Sequence, residues 1–134
     1  MHAFVTGGSG FVGRQLIRDL VSRGDRVTAL ARSDAAAAKV ESLGAIAARG
    51  DLTDEAAMRA AMKGCDAVFH AAAKVEVWGK REDFERDTVR GTELALAAAK
   101  ASLLLSPTIK LAKVYLAFSS GRSRVRVAWL GLGV

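Results

Sequence analysis

The chain of 134 residues has room for one domain with its own core, since a domain of this size buries roughly two-thirds of its unfolded surface. Its single cysteine, Cys65, excludes an internal disulfide, so a reducing cytoplasm is the expected compartment. The net charge of +6 comes entirely from residues 100–134, which contain lysine and arginine but no acid. No nucleic-acid-binding module accompanies these charges, and no apolar segment resembles a signal peptide or spans a bilayer. We therefore expect neither a nucleic-acid nor a membrane partner.

Strand and helix patterns alternate along the chain. Strands are predicted over 2–6, 26–31, 45–48, 67–70 and 114–118. Helices are predicted over 11–23, 34–43, from 54 to near 64, and from about 83 to 101. Strands separated by helices of this length predict right-handed βαβ units, and hence an α/β fold with a Rossmann-type, doubly wound parallel sheet. The composition changes near residue 101, which indicates a sheet that is truncated after its fifth strand.

The first strand runs into a glycine-rich segment, Thr6-Gly7-Gly8-Ser9-Gly10-Phe11-Val12-Gly13, and a helical pattern follows at once. A strand, a tight turn and a helix are the context in which such glycines bind a dinucleotide. One glycine allows the turn, a second lets the backbone approach a pyrophosphate, and a third lets the helix pack closely. The pyrophosphate would lie at the positive end of the helix dipole. We predict that Thr6, Gly7, Ser9, Gly10, Phe11, Val12 and Gly13 bind the cofactor.

The spacing Thr6-Gly7-x-x-Gly10-x-x-Gly13 resembles the extended branch of the short-chain dehydrogenase/reductase superfamily. That branch contains sugar-nucleotide epimerases and dehydratases, 3β-hydroxysteroid dehydrogenases and dihydroflavonol-reductase-like enzymes. The resemblance covers roughly residues 1–100. It implies an NAD(P)-dependent oxidoreductase or epimerase that acts on a hydroxyl or carbonyl group of a small molecule.

The end of the second strand bears on the choice of cofactor. Dinucleotide-binding folds that use NAD place a carboxylate there for the ribose 2′-hydroxyl. This strand instead ends in Ala31-Arg32-Ser33, and a guanidinium can pair with a 2′-phosphate. Arg32, helped by Ser33, therefore favours NADP, with NAD as the alternative. A solvated arginine at a strand end is the other interpretation, and Asp34 is expected to cap the next helix.

Two further segments are assigned cofactor contacts by the resemblance. Asp51 and Leu52 follow the third strand, where the family places an acid and an apolar residue against the adenine ring. Asp51 could instead cap a turn. Ala71, Ala72 and Ala73 follow the fourth strand, where small side chains let the ribose and nicotinamide lie against the backbone. His70, at the end of that strand, is interpreted as a packed structural residue, and no metal site is predicted.

The resemblance extends to the loop and the long helix that follow. Trp78-Gly79 is similar to an aromatic-glycine pair of the hydroxysteroid-dehydrogenase and dihydroflavonol-reductase-like enzymes. Trp78 would line a substrate pocket or, alternatively, cover the core. The segment from Thr88 to Thr92 is similar to the family's Asn-Val-x-Gly-Thr, with Thr88 in place of the asparagine.

Catalytic residues are only partly present in the pattern. The family places a Ser or Thr after the fifth strand and a Tyr-x-x-x-Lys pair on the next helix, and Ser120 falls on the serine position. The only tyrosine, Tyr115, lies inside the predicted strand, and Ser119 stands four residues after it. The proton-transfer pair is therefore absent from this sequence.

These observations divide the chain into an NAD(P)-binding Rossmann domain over residues 1–120 and a basic tail over 121–134, which we interpret as aberrant. One interpretation is the cofactor-binding part of an oxidoreductase or epimerase, which would bind a small-molecule substrate once completed by a C-terminal part. The alternative is a non-catalytic, truncated nucleotide-binding remnant. The resemblance also allows a homodimer that packs through the long helix.

Overall fold

The fold was determined as a computed structural model, which describes residues 1–72, 90–104, 113–120 and 124–131, with side chains for 1–72 and 90–102. These residues form six strands and four helices, which alternate as far as β5. The strands are β1 (His2–Thr6), β2 (Arg26–Ala31), β3 (Ile46–Arg49), β4 (Ala67–His70), β5 (Lys113–Ser120) and β6 (Arg124–Gly131). The helices are α1 (Phe11–Ser22), α2 (Asp34–Glu41), α3 (Glu55–Ala61) and α4 (Gly91–Leu104).

The strands form one sheet in the order β3-β2-β1-β4-β5-β6. The first five run parallel, and β6 pairs antiparallel with β5. From β1 the chain adds β2 and β3 on one side of the sheet, and it then adds β4 and β5 on the other side. The strand order therefore reverses at β1. In open α/β sheets, ligands bind at such a switch point, beyond the carboxyl ends of the strands.

Both faces of the sheet are covered, which explains why β1 is an almost continuous apolar run. Ala3 and Val5 of β1 face a cluster that includes Ile17 of α1 and Val40 of α2. Phe4 points the other way, into a cluster that includes Met58 of α3 and part of α4. The doubly wound fold predicted from the sequence is therefore confirmed.

The predicted boundaries of the early elements are close to the observed ones. Strands β1, β2 and β4 have the predicted bounds, and β3 begins and ends one residue later than predicted. Helix α4 extends to Leu104, three residues beyond its predicted end. The helix was predicted to begin at about residue 83, and residues 83–89 lie outside the described residues.

Strand β6 was not foreseen in the sequence, where residues 121–134 were interpreted as a basic tail. Its residues alternate between basic and apolar side chains from Arg124 to Val127 and are then mostly apolar. A period of two is typical of a strand with two different faces. Composition and net charge do not reveal such a local alternation. The boundary between a domain at 1–120 and a tail at 121–134 stays a prediction.

A core substitution tests this packing. Ile17 is fully buried between α1 and the sheet, whereas Ile46 at the edge strand β3 is 47% exposed. We expect Ile17→Ala to lower the free energy of unfolding by about 2–5 kcal/mol, because it removes buried methyl groups and leaves a cavity. Ile46→Ala is the matched control and should change it by less than about 1 kcal/mol. Urea unfolding followed by circular dichroism measures both, and equal losses would contradict the packing.

Candidate functional site

The turn between β1 and α1 lies directly against the residues that follow β4. Gly7 has a φ of 70°, and its carbonyl accepts a hydrogen bond from the Gly10 amide at 3.0 Å. A Cβ atom on Gly7 would lie 2.6 Å from the Ala71 carbonyl carbon and 2.6 Å from the Ala72 nitrogen. Only glycine satisfies both the positive φ and this close approach. The structure therefore brings together three of the predicted cofactor residues, Gly7, Ala71 and Ala72.

Two other glycines let α1 pack against the turn. A Cβ atom on Gly13 would lie 2.7 Å from the Gly8 Cα atom and would overlap the Gly7 carbonyl. A Cβ atom on Gly8 would lie 2.9 Å from the Ile17 side chain. The glycines at 8 and 13 thus serve packing between the turn, the helix and the sheet.

Gly10 differs from the other glycines of the turn. It precedes α1 as its N-cap, and the nearest atom to a Cβ placed there would be the Gly7 oxygen, at 3.2 Å. Gly10 is exposed, so the backbone at this position can be approached from outside. This is the property expected of the glycine that faces a pyrophosphate.

The first turn of α1 is suited to an anion. Its hydrogen bonding begins with the Arg14 amide, which donates to the Gly10 carbonyl at 3.0 Å. The amides of Phe11, Val12 and Gly13 precede that first bond and form the positive end of the helix dipole. No acidic residue stands in this first turn, and the Phe11 side chain is 74% exposed. The turn therefore offers amide donors without a competing carboxylate of its own.

The end of β2 carries an exposed arginine and a capped helix. Arg32 is exposed and follows the buried Ala31. Ser33 caps α2, because its hydroxyl accepts a hydrogen bond from the Ala36 amide at 3.2 Å. The expectation that Asp34 caps this helix is wrong. Ser33 has the extended backbone of an N-cap, whereas Asp34 is already helical and forms an ion pair with Arg49 at 2.9 Å.

The segment after β3 shows the turn that was the alternative interpretation of Asp51. The Asp51 carboxylate accepts hydrogen bonds from the Thr53 amide and hydroxyl, at 3.1 and 3.2 Å. Asp54 caps α3 and accepts from the Ala57 amide at 2.9 Å. Leu52 is half-buried and packs on the cluster beneath α3 and α4. A contact of Asp51 and Leu52 with adenine stays a prediction.

His70 is held between two hydroxyl groups. Its Nδ1 lies 2.7 Å from the Thr6 hydroxyl, and its Nε2 lies 3.0 Å from the Thr92 hydroxyl on α4. The side chain is buried, and this desolvation lowers the pKa of His70 to about 4. The imidazole is therefore neutral near pH 7. The side chain is packed, as expected from the sequence; its role as a structural residue rather than an acid or base stays a prediction.

The sequence did not indicate the Thr92 contact. Thr6 and His70 are 64 residues apart, and His70 and Thr92 are 22 apart. Parallel pairing places Thr6 opposite His70, and the packing of α4 brings in the third residue. A sequence motif can indicate each of these residues, but their contacts depend on the register of the sheet and on the packing of α4.

Cys65 lies at the amino end of β4, away from the glycine turn. Burial, with the nearby Asp66 carboxylate, raises the pKa of its thiol to about 11. Its sulfur donates to the Ala61 carbonyl at 3.7 Å. A protonated, buried thiol is a poor nucleophile.

The remaining predicted residues lie toward the C-terminal end. Ala73, Trp78 and Thr88 fall outside the described residues. Tyr115 lies inside β5, opposite Phe69 of β4, so the tyrosine is in a strand as predicted. Ser120 is the last residue of β5 and pairs with Arg124 of β6.

Within the described residues, no cluster of His, Cys, Asp and Glu could hold a metal ion. No helix in that part of the chain combines the length and apolar character needed to cross a membrane.

Comparison with known proteins places these features in context. The model of the NAD dependent epimerase/dehydratase family matches residues 3–122. A ketoreductase of Stigmatella aurantiaca, which acts on 4-hydroxy-2-methyl-3-oxo-4-farnesyl-3,4-dihydroquinoline-1-oxide, is 48% identical over 100 residues, covering 75% of this chain and 30% of that protein. The 2-alkyl-3-oxoalkanoate reductase of Shewanella oneidensis is 41% identical over 100 residues, covering 75% and 25%.

Solved structures give the same picture. UDP-glucose 4-epimerase from Bifidobacterium longum, in complex with NAD+ and UDP, matches with a TM-score of 0.66 and 26% identity. The match covers 76% of this chain and 34% of the epimerase. The chain thus spans about a quarter to a third of the length of these proteins.

The environment of His70 predicts a pH-dependent stability. The folded imidazole has a pKa of about 4, below the ordinary value of 6.5, so between these values the unfolded chain binds the proton that the folded chain does not. The contribution of His70 to stability is therefore complete above about pH 6.5 and is lost as the pH falls toward 4, by up to about 3 kcal/mol.

The measurement is urea unfolding at pH 7 and at pH 4.5. His70→Gln is the control, since it keeps a polar side chain but does not titrate. The free energy of unfolding of the unchanged chain should fall more steeply with acid than that of His70→Gln. Equal slopes would show that the imidazole is not desolvated.

Proposed function

Since the chain belongs to the NAD dependent epimerase/dehydratase family, we propose that it is the dinucleotide-binding part of an extended short-chain dehydrogenase/reductase-like oxidoreductase or epimerase. Its substrate would be a small molecule with a hydroxyl or carbonyl group, of a sterol-, flavonoid- or sugar-nucleotide-like kind. The observation that carries the proposal is the glycine turn at the switch point of the sheet, packed against Ala71 and Ala72. The matched relatives include two ketone reductases and an epimerase, which supports this substrate class.

The turn and α1 would hold the diphosphate of the cofactor. Gly10 leaves its outer side open, and the amides of Phe11, Val12 and Gly13 lie at the positive end of the helix. Such amides are fixed before the ligand arrives, so little ordering accompanies binding. The bound nicotinamide would supply the hydride donor or acceptor.

The adenine ribose would lie at the ends of β2 and β3, beside Arg32 and Ser33. Arg32 is exposed, and the nearby Asp34 carboxylate pairs with Arg49, so the Arg32 guanidinium favours the 2′-phosphate of NADP. The Ser33 oxygen is already an acceptor in the helix cap, but its O–H can still donate. NADP is therefore the proposed cofactor, with NAD as the alternative.

Ser120 is the proposed catalytic serine, at the end of β5. A serine hydroxyl without a base is a poor proton acceptor at neutral pH, so the reaction of the whole protein needs a further acid–base group. The sequence also supports a second candidate, a non-catalytic dinucleotide-binding protein, because Tyr115 is followed four residues later by Ser119 rather than by lysine. The assay of the whole protein follows the cofactor absorbance, with NADPH and ketosteroids or flavanonols and with NADP+ and hydroxysteroids. It measures epimerisation of nucleotide sugars directly, because an epimerase leaves its cofactor unchanged overall. Turnover of any of these substrates favours the enzyme over the non-catalytic candidate.

The wider setting follows the same proposal. We place the protein in the cytoplasm, without a nucleic-acid or membrane partner. A homodimer through α4 is consistent with the exposed face of this helix, which includes Glu93, Ala97 and Lys100.

Arg32 gives the first test of the proposal. We expect tighter binding of NADP than of NAD, and Arg32→Ala should weaken NADP binding by an amount on the order of 1.5–3 kcal/mol, the contribution of a charge-assisted hydrogen bond. NAD binding should change little. Arg59→Ala, which removes an exposed arginine from α3, is the matched control. Isothermal titration calorimetry measures the NADP and NAD affinities of the unchanged chain and of both variants, and an unchanged preference in Arg32→Ala would count against NADP.

Gly10 gives the second test. Gly10→Val should abolish dinucleotide binding, because its side chain fills the space that the diphosphate needs. The folded state should persist, since the position is exposed and the backbone φ is −78°. Calorimetry with NADP and the thermal unfolding midpoint are measured together, with Gly10→Ala as the smaller step. Retained affinity in a folded Gly10→Val chain would show that the turn has only a structural role.

A further inference from the structure

The first turn of α4 touches two separate parts of the proposed dinucleotide site. The Thr92 hydroxyl lies 3.0 Å from Nε2 of His70, whose other ring nitrogen contacts Thr6. A Cβ atom on the buried Gly91 would lie 3.3 Å from Cδ1 of Leu52, so the backbone of α4 also packs on this side chain. Thr6 leads into the glycine turn, and Leu52 belongs to the pair proposed to contact adenine.

We propose that the first turn of α4, Gly91–Thr92, positions the dinucleotide site, with Thr92 acting through His70 on the glycine turn. Thr92 is a positioning residue in this proposal, because it reaches the turn through the imidazole of His70. The inference rests on the proposed function and extends it to a helix that carries none of the predicted cofactor residues.

The chemistry of the imidazole makes the two hydroxyl contacts interdependent. A neutral imidazole has one nitrogen that donates and one that accepts. One hydroxyl must therefore donate to the ring while the other accepts from it, and the tautomer fixes which does which. Removing the Thr92 hydroxyl leaves a buried ring nitrogen without that partner, which costs more than the bond itself contributes. A reoriented ring or the other tautomer would then have the lower free energy.

A change at the ring reaches the turn through Thr6. The Thr6 side chain is fully buried, so its hydroxyl has no access to bulk water in place of Nδ1 of His70. The Thr6 carbonyl accepts from the Ala71 amide at 3.1 Å, and Gly7 follows with its backbone against Ala71 and Ala72. The Gly7 backbone is closely packed against Ala71 and Ala72. A small movement of Thr6 therefore displaces the amides that would face the diphosphate.

The test compares Thr92→Val with Thr92→Ser. Valine keeps the shape of threonine but lacks the hydroxyl, whereas serine keeps the hydroxyl. We expect Thr92→Val to weaken NADP binding by about 3- to 10-fold, the range expected for the loss of one neutral hydrogen bond. Thr92→Ser should retain the NADP affinity within about 2-fold, because it keeps the hydroxyl. Ser102→Ala is the control on the same helix, since the Ser102 hydroxyl donates to the Ala98 carbonyl and lies outside the site. Its affinity should be unchanged.

A second background identifies the route. In a His70→Phe chain the valine and serine variants should bind NADP equally, because the imidazole that links Thr92 to Thr6 is gone. Thermal unfolding is measured for every variant, and Thr92→Ala replaces Thr92→Val if the latter does not fold. Unchanged NADP affinity in a folded variant without the hydroxyl would overturn the inference and leave Thr92 a purely structural contact. Failure of the unchanged chain to bind NADP or NAD would overturn the proposed function, and this inference with it.

Discussion

The contact between Gly7 and the backbone that follows β4 is the constraint on which the site depends. It joins the switch point of the sheet to the residues after the neighbouring strand at a separation that no side chain at position 7 would permit. The positive φ of Gly7 turns the chain there, and Gly8 and Gly13 let α1 follow closely. The position of the α1 N-terminus relative to the sheet is a consequence of these three approaches.

His70 and Cys65 lie at the two ends of β4, and burial shifts their pKa values in opposite directions. Desolvation lowers the pKa of the histidine and raises that of the cysteine, and in both cases the neutral form is favoured. His70 has a hydroxyl partner at each ring nitrogen, so its neutral form is fully paired. Burial thus keeps both groups neutral near pH 7, a property that a sequence motif does not reveal.

Local patterns predicted most of the first half of the fold. The apolar run of β1, the glycines that end the early helices and the helical spacing of Leu16, Ile17, Leu20 and Val21 on α1 all depend on neighbours in the sequence. The cap of α2 shows the limit of such patterns, because Ser33 and Asp34 are both good capping residues and the backbone entering the helix selects the first. The strand β6 was missed although its alternation is local.

The candidate site was predictable where it lies on one continuous segment. The glycine turn could be identified from the eight consecutive residues Thr6–Gly13, while the contact of Gly10 with a pyrophosphate stays a prediction. The contacts of α4 with His70 and Leu52 could not, since they require the register of β1 against β4 and the packing of a distant helix. Asp51 illustrates an intermediate case, because the same residue type suits a turn and an adenine contact.

The central position of β1 also affects the order in which the chain can fold. Its pairing with β2 joins residues about two dozen positions apart, such as His2 and Arg26. Its pairing with β4 joins residues much farther apart in the sequence, such as Ala3 and Ala67. As the chain leaves the ribosome, β1 meets β2 first and keeps one edge unpaired until β4 has been synthesised. The β5–β6 hairpin, by contrast, closes between Ser120 and Arg124 and needs no distant partner. Strand β1 precedes β2 in the chain, but it has both of its edges paired only after β2 does.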